Sequence, residues 1–209
     1  MSEPRTRARS SETKERIVRA AVRTLATDGF AGASARAIAG RGGFNQALIF
    51  YHFGTVNELL LAALDHTSAL RMTAYREAIA AADDLEGLVA VAARVFREDL
   101  DSGHIKILAE MISGSSSAPE LGPAIVERVE PWIAFTREQV ERMAATSPLG
   151  PLLPADDVAF AIVALFLGLE LMTHLEGDRS RALRLFDLGA AMATWLGASS
   201  LPISPAGAG

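Results

Sequence analysis

Residues 43–60 constrain the fold of this chain more than any other segment. They predict a short helix that begins at Asn45, a break at Gly54, and a second helix that begins at Thr55. The side chain of Asn45 can accept a hydrogen bond from a backbone N–H group at the helix start. Thr55 and Glu58 have the spacing of a capping box, in which each side chain accepts from the backbone N–H of the other residue. We therefore predict two consecutive capped helices.

One more short helix is predicted just before this segment. Residues 34–40 favour a helix, and the Gly42-Gly43 pair that follows them favours a tight turn. The predicted order is then helix, glycine turn and helix, which is the outline of a helix-turn-helix.

No segment of the chain alternates apolar and polar residues over the length of a β-strand, so we expect an all-α fold. The first helix is predicted to begin at Ser10 or Ser11 and to end at Asp28-Gly29, because glycine tolerates the left-handed conformation at a helix end. Phe30 then returns to the core. The apolar residues of this helix recur at intervals of three and four, and so share one face. They are Ile17, Ala20, Ala21, Leu25 and Ala26.

The helix that begins at Thr55 meets no helix breaker before Asp83-Asp84, so it is predicted to extend for about 28 residues, or about 42 Å. Such a helix would join the N-terminal unit rigidly to the rest of the chain. Further helices are predicted at 85–101, 104–113, 120–145, 155–176 and 179–197. Pro131 is expected to kink or divide the helix that contains it. Residues 198–209 are rich in Ser, Pro, Gly and Ala and are expected to be disordered.

The net charge of −5 is unevenly distributed along the chain. Residues 1–60 hold nine Lys/Arg and five Asp/Glu, a net charge of +4, and the remaining residues therefore carry −9. A basic N-terminal segment on an acidic body favours contact with nucleic acid. The same arginines could instead cover an ordinary solvated helix, so charge alone leaves both interpretations open.

Composition excludes several kinds of site. The chain has no cysteine, so disulfides, thiolate metal sites and a cysteine nucleophile are excluded. The longest apolar run, residues 158–169, is shorter than the roughly 20 residues that span a bilayer, and no signal region follows the N-terminus. His104 and His174 are isolated, without the carboxylate spacing of a metal site. We expect a cytoplasmic protein with no membrane contact, metal or cofactor.

An ordered set of short motifs over residues 12–62 resembles the TetR family of helix-turn-helix transcriptional regulators. The motifs are residues 13–17, Ala20-Ala21, Gly29-Phe30, residues 36–39 and residues 43–60. The resemblance implies a three-helix DNA-binding domain with a basic N-terminal arm at 1–60. A helical ligand-binding and dimerisation domain would occupy 61–197, and a disordered tail 198–209. Over residues 63–209 the resemblance is one of architecture only.

The resemblance also implies which residues contact DNA. Residues 34–40 would form the supporting helix and residues 45–52 the recognition helix in the major groove. Arg36 could form hydrogen bonds with guanine, while Tyr51 and His52 would contact phosphates. The full implied set is Ser34, Arg36, Asn45, Gln46, Ala47, Leu48, Phe50, Tyr51, His52 and Thr55.

The sequence departs from the family pattern at two of these positions or beside them. Phe50 stands where the family often has tyrosine, and Val56 where lysine is common, so two phosphate contacts are missing. Arg5, Arg7 and Arg9 could compensate as a flexible arm. Ile49 and Phe53 are expected to face the core of the domain, not the DNA.

The body of the chain is less informative. Residues 157–169 are apolar around the whole helix, which predicts burial on all sides, either in a monomer core or, as the resemblance implies, in a dimer interface. The implied interface residues are Ala161, Ala164, Leu165, Gly168, Phe186 and Met192. Candidate ligand contacts, each also explicable as ordinary packing, are Tyr75, His104, Met111, Trp132, Phe135 and His174.

Three functions remain open on the sequence. The resemblance implies a homodimeric DNA-binding repressor that a small molecule releases from a palindromic operator. A second possibility is a DNA-binding dimer without a sensing pocket. A helical enzyme is the third, although the four dispersed histidines and the lack of a nucleophile elbow or phosphate loop oppose it.

Overall fold

A computed structural model describes residues 3–80, 82–102, 104–145 and 150–199. Within these ranges the protein is helical and contains no β-strand, which confirms the all-α fold. The helices are α1 (Glu3–Gly32), α2 (Ala35–Gly42), α3 (Ala47–Phe53), α4 (Val56–Ile79), α5 (Leu85–Ser102), α6 (His104–Ser115), α7 (Leu121–Ala144), α8 (Ala155–Glu176) and α9 (Ser180–Ser199). A 3₁₀ turn, Gly150–Leu152, precedes α8.

Helix α1 begins at Glu3, so the prediction of a start at Ser10 or Ser11 is wrong. Proline is tolerated in the first turn of a helix, where its missing N–H has no partner to lose, and Pro4 lies there. The arginines and alanine of residues 5–9 then favour continuation of the helix. The backbone of the predicted flexible arm is therefore part of α1.

The end of α1 bends sharply at Gly29. This residue has φ +71° and ψ −177°, a conformation that glycine adopts without strain. The predicted end at Asp28-Gly29 thus corresponds to a real change of direction. After the bend, Phe30 packs against the core, as predicted. A Cβ atom on Gly114 of α6 would lie 2.4 Å from the Phe30 ring, so α6 can approach this closely only with glycine there.

One continuous core runs from the N-terminal helices into the body. Helices α1 to α4 contribute fully buried side chains, and α6 and α7 add others to the same cluster. Among its members are Ile17, Leu25, Ile38, Ile49, Leu59, Met111 and Leu121. Met111, one of the predicted ligand contacts, is fully buried in this cluster. The N-terminal unit therefore packs on the body directly, in addition to being connected to it by α4.

Helix α4 is 24 residues long, about 36 Å, and ends at Ile79. The prediction of about 28 residues is too long, because the residues just before α5 form the cap of that helix and do not continue α4. Asp84 Oδ1 accepts a hydrogen bond from the Gly87 N–H at 2.8 Å and so caps α5. The absence of Gly and Pro did not by itself extend the helix.

Two other predicted helix ends differ from the structure. Helix α7 continues through Pro131, so this residue does not divide the helix. Pro131 and Glu127 are both exposed, so the carbonyl of Glu127, which loses its helical partner, can be hydrated. At the C-terminus, Ala198 and Ser199 belong to α9 and not to a disordered tail. The rest of that predicted tail, residues 200–209, lies outside the described residues.

The prediction that α8 is buried on all sides is wrong for the monomer. Ala159, Glu170 and Thr173 face inward and are buried. The opposite face is apolar and exposed, with Phe160 62%, Leu165 62% and Leu175 70% exposed. On the described part of α9 the large exposed apolar side chains are Leu185, Leu188, Met192 and Trp195. These two faces together are called the α8–α9 apolar surface below.

Phe186, also a predicted interface residue, is half-buried. Its ring centroid lies 5.1 Å from that of Phe96 and 6.5 Å from that of Phe166, within the body. The other five predicted interface residues on α8 and α9 are all exposed. They are Ala161, Ala164, Leu165, Gly168 and Met192.

Helix α8 is also long and apolar enough, by length and composition alone, to cross a membrane. The sequence prediction excluded a membrane span because the apolar run of 12 residues ends before Glu170. The helix, however, continues with apolar residues beyond Glu170. In the monomer only 17% of the most apolar window of α8 is buried.

Candidate nucleic-acid interface and ligand pocket

Helix α2 is capped at both ends, by Ser34 and by the predicted glycine turn. The Ser34 hydroxyl oxygen accepts a hydrogen bond from the Ala37 N–H at 3.2 Å, and so caps the helix. Ile38 and Ala39 are buried against the core. Gly43 follows with φ +64°, in the left-handed region that the predicted glycine turn requires.

Helix α3 begins after a cap from Asn45. The Asn45 Oδ1 atom accepts a hydrogen bond from the Ala47 N–H at 2.9 Å, which confirms the predicted cap. The first helical residue is Ala47 instead of Asn45, because Asn45 and Gln46 form the preceding turn. Ile49 is fully buried and Phe53 packs against the core, as predicted.

Helix α4 begins with half of the predicted capping box. The Thr55 Oγ1 atom accepts a hydrogen bond from the Glu58 N–H at 3.1 Å. The reciprocal bond to Glu58 is absent, because the Thr55 N–H donates to the Phe53 carbonyl at 2.9 Å. Gly54, with φ +78°, turns the chain so that the Phe53 carbonyl lies within reach of the Thr55 N–H. Helices α3 and α4 meet at an angle of 71°.

Eight of the ten predicted DNA-contacting residues are exposed to solvent. They are Ser34, Arg36, Asn45, Gln46, Ala47, Phe50, Tyr51 and Thr55. Tyr51 is 81% exposed and Phe50 50%. Leu48 is half-buried and packs partly on the core. His52 is also half-buried, with its ring centroid 4.9 Å from that of Tyr51.

The basic residues near these helices differ in their availability. Arg41 is engaged in two hydrogen bonds to the Asp28 carboxylate, at 2.7 and 2.9 Å. Arg19 forms an ion pair with Glu15. Arg36 is exposed and forms no ion pair or hydrogen bond with the residues that the structure describes. Of these three arginines, Arg36 is therefore the one available to a ligand.

Residues 17–63 match the family model for bacterial regulatory proteins of the tetR family. This segment of the chain is a TetR-family domain. The match covers α2 and α3 completely, together with most of α1 and the start of α4. No curated relative matches the sequence.

Solved structures extend the likeness to the whole fold. A TetR transcriptional regulator from Chloroflexus aurantiacus has 20% identity and a TM-score of 0.74, over 90% of this chain and 96% of that chain. A TetR family member from Streptomyces coelicolor has 26% identity and a TM-score of 0.62, over 84% of this chain and 96% of that chain. The multidrug binding protein EbrR, solved with imidazole, has 23% identity and a TM-score of 0.59, over 84% and 93%. The body therefore has the TetR-type fold as well.

The five predicted ligand contacts whose side chains the structure describes do not form one site in this TetR-type body. Tyr75 and Trp132 lie together, with ring centroids 5.1 Å apart, and the Trp132 indole N–H donates to the Ser68 hydroxyl at 2.8 Å. Phe135 is buried beneath Arg76. His174 is exposed, and Met111 lies in the core. The side chain of His104 lies outside the described part of the structure.

A buried polar cluster in the TetR-type body escaped the sequence prediction. Asp99 is 2% exposed, forms an ion pair with Arg71 and accepts a hydrogen bond from the Tyr75 hydroxyl. Burial, and next the charge of Asp99, raise the pKa of the Tyr75 hydroxyl far above its usual range. The one sequence signal for this cluster is a glutamate, Glu170, inside an apolar helix.

A pocket of about 120 Å³ lies next to this cluster, between α5, α6 and α8. It is lined by Asp99, Leu100, Ile105, Lys106, Ala109, Glu170, Leu171 and His174. Glu170 is fully buried, and burial raises the pKa of its carboxyl to about 9. Of the predicted ligand contacts, His174 lines this pocket, while Tyr75 adjoins it through Asp99.

Proposed function

We propose that the protein is a homodimeric transcriptional repressor that binds palindromic operator DNA through α3 and is released by a small molecule. The observation that carries the proposal is the exposed start of α3, held by the Asn45 cap and the buried Ile49. Side chains at the start of a recognition helix are the ones that contact base edges in the major groove. The TetR-family match over the same residues supports this role.

The exposed residues divide by chemistry into base-reading and phosphate-binding groups. Arg36 has free guanidinium donors, which can bond the O6 and N7 atoms of guanine. Gln46 can bond adenine, and Ala47 can contact a thymine methyl group. The Tyr51 hydroxyl and the backbone at the capped start of α4, next to Thr55, are suited to phosphate oxygens.

The α8–α9 apolar surface supports the homodimer. A two-fold axis would pair α8 and α9 with the same helices of a second chain, in a four-helix bundle. Ala161, Ala164 and Gly168 are exposed on α8, and space around Gly168 is open, so a partner helix could approach closely. In this proposal α8 packs against a partner chain instead of lying in a membrane.

The proposal assigns no enzymatic activity, metal or cofactor to the protein, and it places the protein in the cytoplasm with the DNA. Among the described residues there is no group of three His, Asp or Glu side chains placed to hold a metal ion. The buried polar cluster and its pocket are the part of the body that we assign to ligand sensing. This assignment favours a ligand-responsive repressor over a dimer without a sensing pocket.

Selection of binding sites from random duplexes with the purified protein tests the DNA-binding role. We expect selected sites with two-fold symmetry and half-site centres one helical turn, about 34–36 Å, or a multiple of it apart. Selected sites without two-fold symmetry would contradict the proposal, as would a protein that sediments as a monomer while it binds tightly.

A further inference from the structure

We propose that the pocket between α5, α6 and α8 binds a small organic cation, such as a protonated alkylamine, through the carboxylate of Glu170. The inference rests on the proposed function, because this cation would be the ligand that changes operator affinity. It goes beyond that function by naming the class of ligand and the residue that recognises it.

The first observation is that Glu170 has no partner. Its side chain is fully buried, and neither carboxylate oxygen accepts a hydrogen bond from any residue that the structure describes. Buried carboxyl groups in proteins are nearly always paired, since burial without a partner is costly. A carboxyl group that lines a pocket and has no partner of its own is suited to bind a ligand that supplies one.

The charged neighbours of Glu170 do not supply that partner. Arg71 of α4 forms its ion pair with Asp99 of α5, and the Tyr75 hydroxyl donates to the same Asp99. Lys106 of α6 and His174 of α8 line the pocket without a hydrogen bond to Glu170.

Four arginines on or beside the neighbouring helices pair with other carboxylates. On α7, Arg128 pairs with Asp65 and Arg137 with Asp156. Arg179, just before α9, pairs with Asp101, and Arg181 of α9 pairs with Glu176.

The size and lining of the pocket limit the cation. A volume of about 120 Å³ corresponds to about four water molecules at roughly 30 Å³ each, and a cavity of about 150 Å³ holds benzene. Leu100, Ile105, Ala109 and Leu171 supply apolar walls. A compact hydrocarbon group with a single positive charge matches both the walls and the carboxylate.

Binding of such a cation is coupled to release of a proton. In the empty pocket Glu170 is protonated at neutral pH, because burial raises the pKa of its carboxyl to about 9. The cation binds the ionised form, so one proton leaves Glu170 for the solvent as the ion pair forms. Below pH 9 the apparent affinity then rises about tenfold per pH unit, provided that the amine stays protonated.

Titration calorimetry with the full chain tests the proposal. The probe is n-butylamine, whose ammonium group matches that of lysine with a pKa of about 10.4. Butan-1-ol and butanoate provide a neutral and an anionic molecule of the same shape. We expect butylammonium to bind about tenfold more tightly at pH 8 than at pH 7, with one proton released per molecule, and to bind better than either analogue.

Two variants distinguish Glu170 from a general charge effect. Glu170→Gln should weaken butylammonium binding at least tenfold at pH 8, while Glu127→Gln, the same change on the exposed face of α7, should leave it unchanged. Glu170→Met, which removes the polar group altogether, is the second variant if the glutamine does not fold, and it should abolish binding. Equal affinity for wild type and a folded Glu170 variant would overturn the proposal. So would tighter binding of butanoate, or an affinity that does not change with pH.

Operator binding by the wild-type protein, measured without amine, separates the failure of this inference from that of the proposed function. Tight operator binding together with no amine binding would overturn the inference alone. Amine binding by a protein that selects no DNA sites would support the pocket and overturn the proposed function.

Discussion

The backbone N–H of Phe30 donates a hydrogen bond to Oε2 of Glu110 at 2.8 Å. This bond joins the end of α1, just after the Gly29 bend, to α6. A Cβ atom on Gly29 would lie 2.8 Å from the same carboxylate oxygen, so the contact is close on both sides. Glu110 directly follows Ala109, which lines the pocket. Helix α6 therefore contacts both the pocket between α5, α6 and α8 and the N-terminal helical unit.

We expect Glu110→Ala to reduce the effect of ligand on operator affinity. Loss of the hydrogen bond between the Phe30 N–H and the Glu110 carboxylate should also lower the free energy of unfolding by about 1–2 kcal/mol, because this bond is partly buried. Operator affinity with and without butylamine, together with denaturant unfolding, would measure both effects. Glu127→Ala on the exposed face of α7 is the control. If the Glu110 variant keeps the full ligand effect, α6 does not transmit the signal.

Helix α4 is the second connection between the two parts of the chain. Allosteric coupling is typically about 1–3 kcal/mol, or 5–150-fold in affinity, and is reciprocal between ligand and operator. Insertion of two glycines after Ala69 should remove only part of this coupling, because the α1–α6 contact remains. Combined with Glu110→Ala it should remove most of it. Full coupling in the double variant, measured as the change in operator affinity, would contradict both routes.

Arg36→Ala and Tyr51→Phe should have different effects on DNA binding. Loss of a guanine contact should cost about 1–3 kcal/mol at one base pair and relax the preference there. Loss of the Tyr51 hydroxyl should weaken all duplexes alike, because a phosphate contact carries no sequence information. Affinities for a panel of single-base operator variants measure the difference. A base-specific loss for Tyr51 and a uniform loss for Arg36 would reverse the assignment.

Glu170 should make the fold less stable as the pH rises. Its pKa is raised from 4.5 to about 9 in the folded chain, so between these values the folded state holds a proton that the unfolded state has lost. Stability is therefore greatest near and below pH 4.5 as far as this group is concerned, and falls by up to about 1.4 kcal/mol per pH unit above it. In the Glu170→Gln variant, the denaturant midpoint of unfolding should differ less between pH 5.5 and pH 7.5 than it does in the wild type. Parallel pH profiles for the wild type and the variant would contradict the assignment.

Leu165→Glu should convert the dimer to a monomer. Leu165 lies on the α8–α9 apolar surface, and a charge buried there on both chains would weaken association by about 3 kcal/mol, a hundredfold or more. Leu70→Glu, at an exposed leucine of α4, is the matched control and should remain dimeric. Sedimentation equilibrium measures the outcome, and a dimeric Leu165→Glu variant would exclude this surface as the interface.

The capped helix starts were predictable from the sequence because caps are local. Ser34, Asn45 and Thr55 each accept a hydrogen bond from a residue two or three positions further along the chain. The glycine turn at Gly43 is equally local, since its left-handed φ excludes most other residues. The local geometry of α2, α3 and the start of α4 could therefore be anticipated, including the inward direction of Ile49.

The buried polar cluster could not be predicted in the same way. Arg71, Asp99 and Glu170 lie on three different helices, and only tertiary packing brings them together. The exposure of one face of α8 in the monomer could not be predicted for a related reason. An apolar helix shows that burial is needed, but not whether the chain itself or a second copy provides it. The start of α1 at Glu3 depends on weak helix propensities over a few residues, where boundaries are least certain.

The mass of the complex between the protein and a selected duplex shows directly whether a dimer binds the operator. We expect two chains on each palindromic duplex, one for each half-site, and a complex that Leu165→Glu loses but Leu70→Glu retains. A single chain on the full site at saturation, or equal binding by the Leu165→Glu variant, would contradict a dimer that presents α3 twice to the major groove.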